Sequence, residues 1–433
     1  MNVYFYTLGC KVNQYETQAM MHLMEQQGHT VDEYLLGKTT VGDGVIVINS
    51  CTVTGESDRK LRQLLRRCRR EEPRSMLVLT GCMPQAFPEQ AQALLQADIV
   101  LGNAVRNRLP AYIDQFLATR ERVVDIPAHT TTYEPLTIRE FQGRTRAFVK
   151  IEDGCNRFCT YCIIPYARGR VRSRPLYDLE TELRGLAEQG YREVVLVGIN
   201  LTSYGQDKGL TIVDAVECAC RIDGIERVRL GSIEPDHMTP TIIEQLSRCD
   251  KLCPQFHLAL QSGCDATLKR MNRHYDTAQY RRVCEQLRAA FPSCSFTTDV
   301  MVGFPGETQE EFEQSLAFVK DIGFSRLHCF PYSRREGTIA AKAAGQVSNA
   351  EKECRNRMMM AVGEESCRRF ADQLVGQTVA VLWETVDETG VHGYTDTYVP
   401  VVAQEGEPGT ISQVTVSHSE NGVCYVKKTQ AEE

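Results

Sequence analysis

The chain has 433 residues, of which 42% are apolar and 24% charged, and its formal net charge is -7. That length supports two or three domains with ample core, and the acidic balance excludes a globally basic nucleic-acid-coating protein, so RNA contact must come from local basic patches. No apolar run is long enough for a bilayer and the start, MNVYFYTLGCKVNQ, is not a secretory leader, so the expected home is the reducing cytoplasm, where clustered cysteines read as metal or redox ligands rather than disulfides.

Residues 1–125 alternate strand-like and helix-like segments. NVYFYTLG predicts a strand and NQYETQAMMHLMEQQG a helix; GVIVINS, MLVLTG and DIVLG predict further short apolar strands. Helices between them imply an open parallel α/β sheet. Cys10, Cys51 and Cys82 each follow one of these strands. The C-terminal ends of parallel strands share one edge, where ligands bind, so these thiols are expected to converge. Between the second and third of them, RKLRQLLRRCRREEPR places Leu61, Leu64, Leu65 and Cys68 on one helical face, with Arg59, Arg62, Arg66, Arg69 and Arg70 largely elsewhere. That basic face reads either as solvated surface or as a contact for RNA phosphates.

Residues 126–145 lack periodicity and read as a linker. A second β/α series fills 146–375. AFVKIEDG, EVVLVGIN, RVRLGSI, FHLALQS, SFTTDVMVGF and SRLHCFPY are its strands, with helical patterns between them and a long one at the end. The expected architecture is a partial (β/α)6 barrel. Residues 376–433 change to short β runs broken by Gly and Pro, which reads as a small all-β barrel with Trp383 in its core. Cys218, Cys220, Cys249 and Cys253 lie on or beside barrel helices and read as small packing groups, with a zinc site the alternative.

Cys155, Cys159 and Cys162 follow the first barrel strand, at the face where barrel active sites form. Structural zinc wants a fourth ligand, and no further Cys or His lies nearby in sequence. Three thiolates on a 4Fe-4S cluster instead leave one iron open. The Cys-x3-Cys-x2-Cys spacing resembles the radical S-adenosylmethionine superfamily. The resemblance implies that the open iron chelates S-adenosylmethionine, whose reductive cleavage yields a 5′-deoxyadenosyl radical. Candidate cofactor contacts at other strand ends are Tyr161 for adenine, then Ser232, Glu234, Gln261 and Ser262 for ribose and methionine groups. Asp299 and the turn Gly303 to Glu307 are further candidates.

The pieces TLGCKVNQYE, NSCTVT, LTGC, GCNRFCTYCIIPYARGRVRSRP, RLGSIEP, LQSG and FPYSRREGT resemble the methylthiotransferases across nearly the whole chain. The last domain resembles a TRAM RNA-binding module. TLGCKVNQYE is most similar to the branch acting on N6-threonylcarbamoyladenosine at position 37 of tRNA. The resemblance implies a second 4Fe-4S cluster on Cys10, Cys51 and Cys82 that delivers sulfur to C2 of the adenine. It implies the tRNA anticodon stem-loop and an electron donor such as flavodoxin or ferredoxin as partners, and neither DNA nor a membrane. The threonylcarbamoyl group ends in a carboxylate, which a bidentate Arg suits; Arg168, Arg170, Arg334 and Arg335 are the candidates, with Arg66 and Arg70 for phosphates. Two other substrates stay open, isopentenyladenosine in tRNA and an aspartate of a ribosomal protein. A non-catalytic iron–sulfur protein that binds RNA or carries sulfur is the alternative from another class.

Overall fold

The computed structural model describes residues 1–141 and 143–426; Gln142 of the expected linker and residues 427–433 of the expected terminal domain lie outside the described residues. The first sheet is built from β1 (Asn2–Thr7), β2 (Thr30–Glu33), β3 (Val45–Ser50), β4 (Met76–Gly81), β5 (Ile99–Leu101) and β6 (Val123–Asp125). Its order is β2-β1-β3-β4-β5-β6 and every pairing is parallel. β3 and β4 are buried along their whole length, as unbroken apolar runs in a parallel sheet require. The edge strands β2 and β6 carry no such run and have no clear sequence signal.

Two helices of this region matter for the site. α1 (Lys11–Gln26) sends Met20, Met21 and Met24 into the first sheet's core, and Val12, Tyr15 and Ala19 into the core of the next domain. It is therefore a wall shared by both. α2 (Gly55–Glu71) is capped by Thr54, whose side chain accepts from the Ser57 N–H, and it buries Leu61, Leu64, Leu65 and Cys68 as the sequence pattern predicts.

The barrel strands are β7 (Arg146–Lys150), β10 (Glu193–Val197), β11 (Arg227–Leu230), β12 (Ser232–Ile233), β13 (Gln255–Leu258), β14 (Ser295–Val302) and β15 (Arg326–Pro331), with a small antiparallel pair β8 (Glu152–Asp153) and β9 (Arg172–Ser173) after the first of them. They form two parallel sheets, β11-β10-β7 and β12-β13-β14-β15, broken at Gly231, so RVRLGSI is two short strands rather than one. β7 and β15 do not pair, which leaves the barrel open on one side, and α1 packs there.

The helix Asn349–Asp372 leads to β16 (Thr378–Asp387), β17 (Gly390–Thr395), β18 (Pro400–Ala403), β19 (Ile411–Glu420) and β20 (Val423–Val426), a closed five-stranded barrel. Trp383 is 1% exposed in its core and donates to Ser412 Oγ at 2.6 Å. The turn after β17 plugs the base of the larger barrel. Asp396 O accepts from Arg229 at 2.8 Å, Thr397 O accepts from Ser295 Oγ at 2.6 Å, and Arg146 lies over the Tyr398 ring. No helix among the described residues is long and apolar enough to cross a membrane.

Candidate iron–sulfur and substrate site

Three adjacent strands, β1, β3 and β4, end at Cys10, Cys51 and Cys82. Two glycines allow the approach. Gly9 has φ +133°, and a Cβ there would stand 3.1 Å from the Cys51 Cβ. Gly81 has φ +103°, and a Cβ there would stand 2.4 Å from Ser50 O. Both positions demand glycine on conformation and on space. Burial pushes the Cys82 thiol up to about 12, against the pull of the nearby Arg168 cation, and it raises Cys51 as well. Cys10 is exposed and donates to Asn13 Oδ1 at 3.3 Å.

The second triad sits on the loop after β8. Gly154, at φ +88°, lets the backbone cross Arg170, whose carbonyl oxygen would lie 2.0 Å from any Cβ. The Cys155 N–H donates to Gly169 O at 2.9 Å and the Cys162 N–H to Cys159 O at 3.0 Å. Phe158 takes φ +52° between them. Donors already face the sulfurs: the Arg157 N–H reaches Cys155 Sγ at 3.4 Å and Arg273 reaches Cys159 Sγ at 3.3 Å. Burial raises Cys155 to about 11 and Cys162 to about 12. Iron binding would deprotonate such thiols and couple their burial to cluster assembly.

Among the described residues no three His, Cys, Asp or Glu side chains close around a single metal ion. A cubic cluster spreads its thiolates around a cage, and three thiols without a fourth protein ligand fit a 4Fe-4S group with one open iron. Cys218, Cys249 and Cys253 are buried, and the Cys249 thiol donates to Gln245 O at 3.9 Å.

Arg168 runs from the first triad towards the loop that carries the second. It is fully buried; its Nε donates to Cys82 Sγ at 3.1 Å and one terminal nitrogen donates to Glu16 Oε2 at 2.9 Å and to Asn13 Oδ1 at 3.3 Å. Glu16 also accepts from Arg106 at 3.0 Å and from Lys150 at 2.8 Å, and Lys150 reaches Asp153 at 2.7 Å, two residues before Cys155. Burial alone would raise the Glu16 carboxyl, but Arg106, Arg168 and Lys150 together hold it well below the usual range. Glu16 closes the piece TLGCKVNQYE, but its role as the shared partner of three cations is not legible there.

The expected carboxylate clamp must be corrected at two positions. Arg168 is committed to Glu16 and Cys82, with no face open to a substrate. Arg335 is 4% exposed, bonds Asp58 at 2.6 Å and Thr52, and lies over the Phe87 ring, so it fastens the first domain to the barrel. Arg170 and Arg334 are exposed; Arg170 covers the Phe158 ring. On α2, Arg66 and Arg70 are exposed, and Arg70 lies 3.4 Å from Glu71. Arg59 pairs with Glu56, and Arg69 bonds Asp98 at 2.6 Å, which thins the basic face.

The cofactor candidates divide similarly. Tyr161 packs edge-on against Phe304 at 6.2 Å beside the loop triad. Glu234 pairs with Arg273, the same arginine that reaches Cys159. Ser232 is exposed at the break between the two barrel sheets. Gln261 takes φ +64°, and its N–H donates to Asp299 O at 2.9 Å. Asp299 meets His257 Nε2 at 3.3 Å; burial works to raise its carboxyl, but that contact brings it below the ordinary value. Ser262 is a correction: it is fully buried and its hydroxyl accepts from the Cys264 N–H at 3.3 Å. Glu307 is another, closing its own turn through Gly303 at 2.6 Å and Arg355 at 2.8 Å. Sequence reading missed Arg157, which lies inside the loop motif itself, and Arg273, whose partners Cys159 and Glu234 are far away in sequence.

The family comparisons agree with this geometry. Residues 149–319 match the radical SAM superfamily and residues 2–102 match an uncharacterized protein family, UPF0004. The chain is 39% identical to the threonylcarbamoyladenosine tRNA methylthiotransferase MtaB of Bacillus subtilis (strain 168), over 92% of this chain and 90% of that protein. It belongs to the radical S-adenosylmethionine methylthiotransferase family. The MtaB of Thermotoga maritima is 35% identical over 98% of this chain and 97% of its own length. A tRNA-2-methylthio-N(6)-dimethylallyladenosine synthase of Clostridium botulinum (strain Loch Maree / Type A3) is 34% identical over 84% of this chain and 82% of its own. In fold, this methylthiotransferase is similar to the radical S-adenosylmethionine methyltransferase TsrM of Kitasatospora setae, with a TM-score of 0.58 at 13% identity over 78% of this chain and 77% of that one. The protein is thus a radical S-adenosylmethionine enzyme of tRNA methylthiolation, with an iron–sulfur centre and S-adenosylmethionine as its cofactors.

Proposed function

We propose that this enzyme methylthiolates C2 of N6-threonylcarbamoyladenosine at position 37 of tRNA, using two 4Fe-4S clusters. The reading is supported by Cys10, Cys51 and Cys82 at three adjacent strand ends and by the buried Arg168, which bonds Cys82 and lies 3.6 Å from Asp153, two residues before Cys155. When bound, the clusters and S-adenosylmethionine supply the radical that removes hydrogen and the sulfur and methyl that replace it. Cys155, Cys159 and Cys162 hold the radical-forming cluster, and Cys10, Cys51 and Cys82 hold the auxiliary one.

The chain's own groups do the rest. Arg273 and the Arg157 N–H aim donors at the loop triad's sulfurs, and Arg168 aims one at Cys82. Glu234, Gln261 and Asp299 line the strand ends where S-adenosylmethionine is held. Tyr161 and the ring cluster around Phe304 keep water from that pocket. Residues 1–125 carry the auxiliary triad, 146–375 the radical chemistry, and 376–433 serve RNA contact. Exposed Arg66 and Arg70 are available to the phosphates of the anticodon stem-loop, and exposed Arg170 and Arg334 to the substrate carboxylate. A flavodoxin- or ferredoxin-type donor supplies the electron.

The names of the 35–39% identical relatives support the threonylcarbamoyladenosine substrate. Nucleoside mass spectrometry of tRNA from a strain lacking the gene tests it. The methylthio form should vanish and threonylcarbamoyladenosine accumulate; loss of the methylthio-isopentenyl nucleoside instead overturns the reading.

A further inference from the structure

Arg168 and Arg335 are committed elsewhere, and Lys11 offers the substrate carboxylate a partner besides the exposed Arg170 and Arg334. Lys11 is the residue directly after Cys10, at the start of α1 on the open side of the barrel. It is accessible to solvent, and its ammonium stands 5.8 Å from the centre of the Phe148 ring on β7. Among the described residues it makes no hydrogen bond and no ion pair.

The charged and polar groups nearest it are Tyr398 of the plugging turn, Arg146, Arg229 and Asp299, a set richer in cations than in carboxylates. Strand residues alternate between the lumen and the helical layer. On β15, Leu327 and Cys329 pack with the core, while Arg326, His328 and Phe330 face the open lumen and are exposed. His257 and Asp299, on β13 and β14, also face it, and their side chains keep 18% and 34% of their exposure. Asp299, the carboxylate on this wall, is already paired with His257 at 3.3 Å. Arg146 and Arg229, deeper in the barrel, are matched by Glu384 and Glu193. Arg326, like Lys11, has no ion pair among the described residues.

An anion belongs there, and its class follows from where the target base must go. For C2 of adenine to lie between the two triads, the base must leave the stem-loop and enter this mouth while the phosphates stay on the rim. The anion that travels inward is then the one carried on the base's N6 substituent. We propose that Lys11 is the carboxylate-binding residue of the substrate site, pairing with the free carboxylate of the threonylcarbamoyl group, with Thr297 and the His257–Asp299 pair lining the same polar recess. The proposal rests on the substrate reading above. It predicts discrimination against a dimethylallyl group, which brings no charge to meet the ammonium.

The test is equilibrium binding of anticodon stem-loops to the holoenzyme, followed by fluorescence anisotropy. The probes carry adenosine, dimethylallyladenosine, threonylcarbamoyladenosine or its methyl ester at position 37. A charge-assisted bond of ordinary strength predicts that wild type binds the free acid about tenfold or more tightly than the ester. Lys11→Met should erase that preference and Lys11→Arg should restore most of it. If Lys11→Met keeps the wild-type preference, or wild type binds acid and ester equally, the proposal is overturned with the substrate reading intact. If wild type binds the threonylcarbamoyl stem-loop no better than the adenosine or dimethylallyl ones, the substrate reading itself fails. The ester comparison on wild type needs no variant to fold, and the iron content of each variant shows whether the neighbouring triad is intact.

Discussion

Arg168 shows at residue scale how far a charge count falls short of a function. Its partner Glu16 is 152 positions away in sequence, so the chain shows the cation and hides the carboxylate. Breaking a buried pair strands a charge, and Arg168→Met should cost about 3–5 kcal/mol in urea unfolding. Lys at this position should not rescue, because a point charge cannot serve Glu16 and Cys82 together. The cysteines were readable where Arg168 and Arg335 were not, because a ligand's place at a strand end is local and an ion pair's partner is not. Glu152 gives a pH prediction. It is buried, burial raises its carboxyl to about 8 from 4.5, and one of its oxygens has no hydrogen-bond partner. A raised acid is protonated in the fold and ionised in the unfolded chain between those values, so it lowers stability there by up to about 1.4 kcal/mol per pH unit. Glu152→Gln should remove that slope; unfolding curves at pH 5 to 9 with equal slopes for both proteins would contradict it.

Strand ends and tight glycines build the site at the scale of elements. Gly81→Ala would set a Cβ 2.4 Å from Ser50 O at a φ of +103°. That distorts the end of β4, which carries Cys82, and leaves the loop triad alone. Iron per chain after anaerobic reconstitution should fall by about half, since one of two equal clusters is lost. The apolar runs of β3, β4 and β10 were legible because burial on both faces writes a continuous signal. The short strands β2, β6 and β9 were not, because they are held by neighbours' backbones rather than by an apolar pattern. Nor did the sequence reveal that α1 serves two cores; its two faces read as one amphipathic helix.

The molecule as a whole places one sheet's strand ends against the mouth of an open barrel and plugs that barrel's base with a turn from the small β domain. Arg335 fastens the first junction through Asp58, Thr52 and Phe87. Arg335→Ala should loosen it, so that reductive cleavage of S-adenosylmethionine continues while methylthio transfer falls at least about tenfold, as misplaced groups in a positioned reaction do. Hydrogen exchange should rise in α2 and in the segment around Arg335; exchange equal to wild type would contradict the role. The central claim is that the six cysteines divide into two triads with separate work. The most direct measurement is the iron content and reductive 5′-deoxyadenosine yield of the Cys10→Ala, Cys51→Ala, Cys82→Ala triple variant. About eight irons in wild type should become about four, with cleavage retained and methylthiolation abolished. A variant that keeps all its iron, or that loses cleavage together with transfer, would contradict the account.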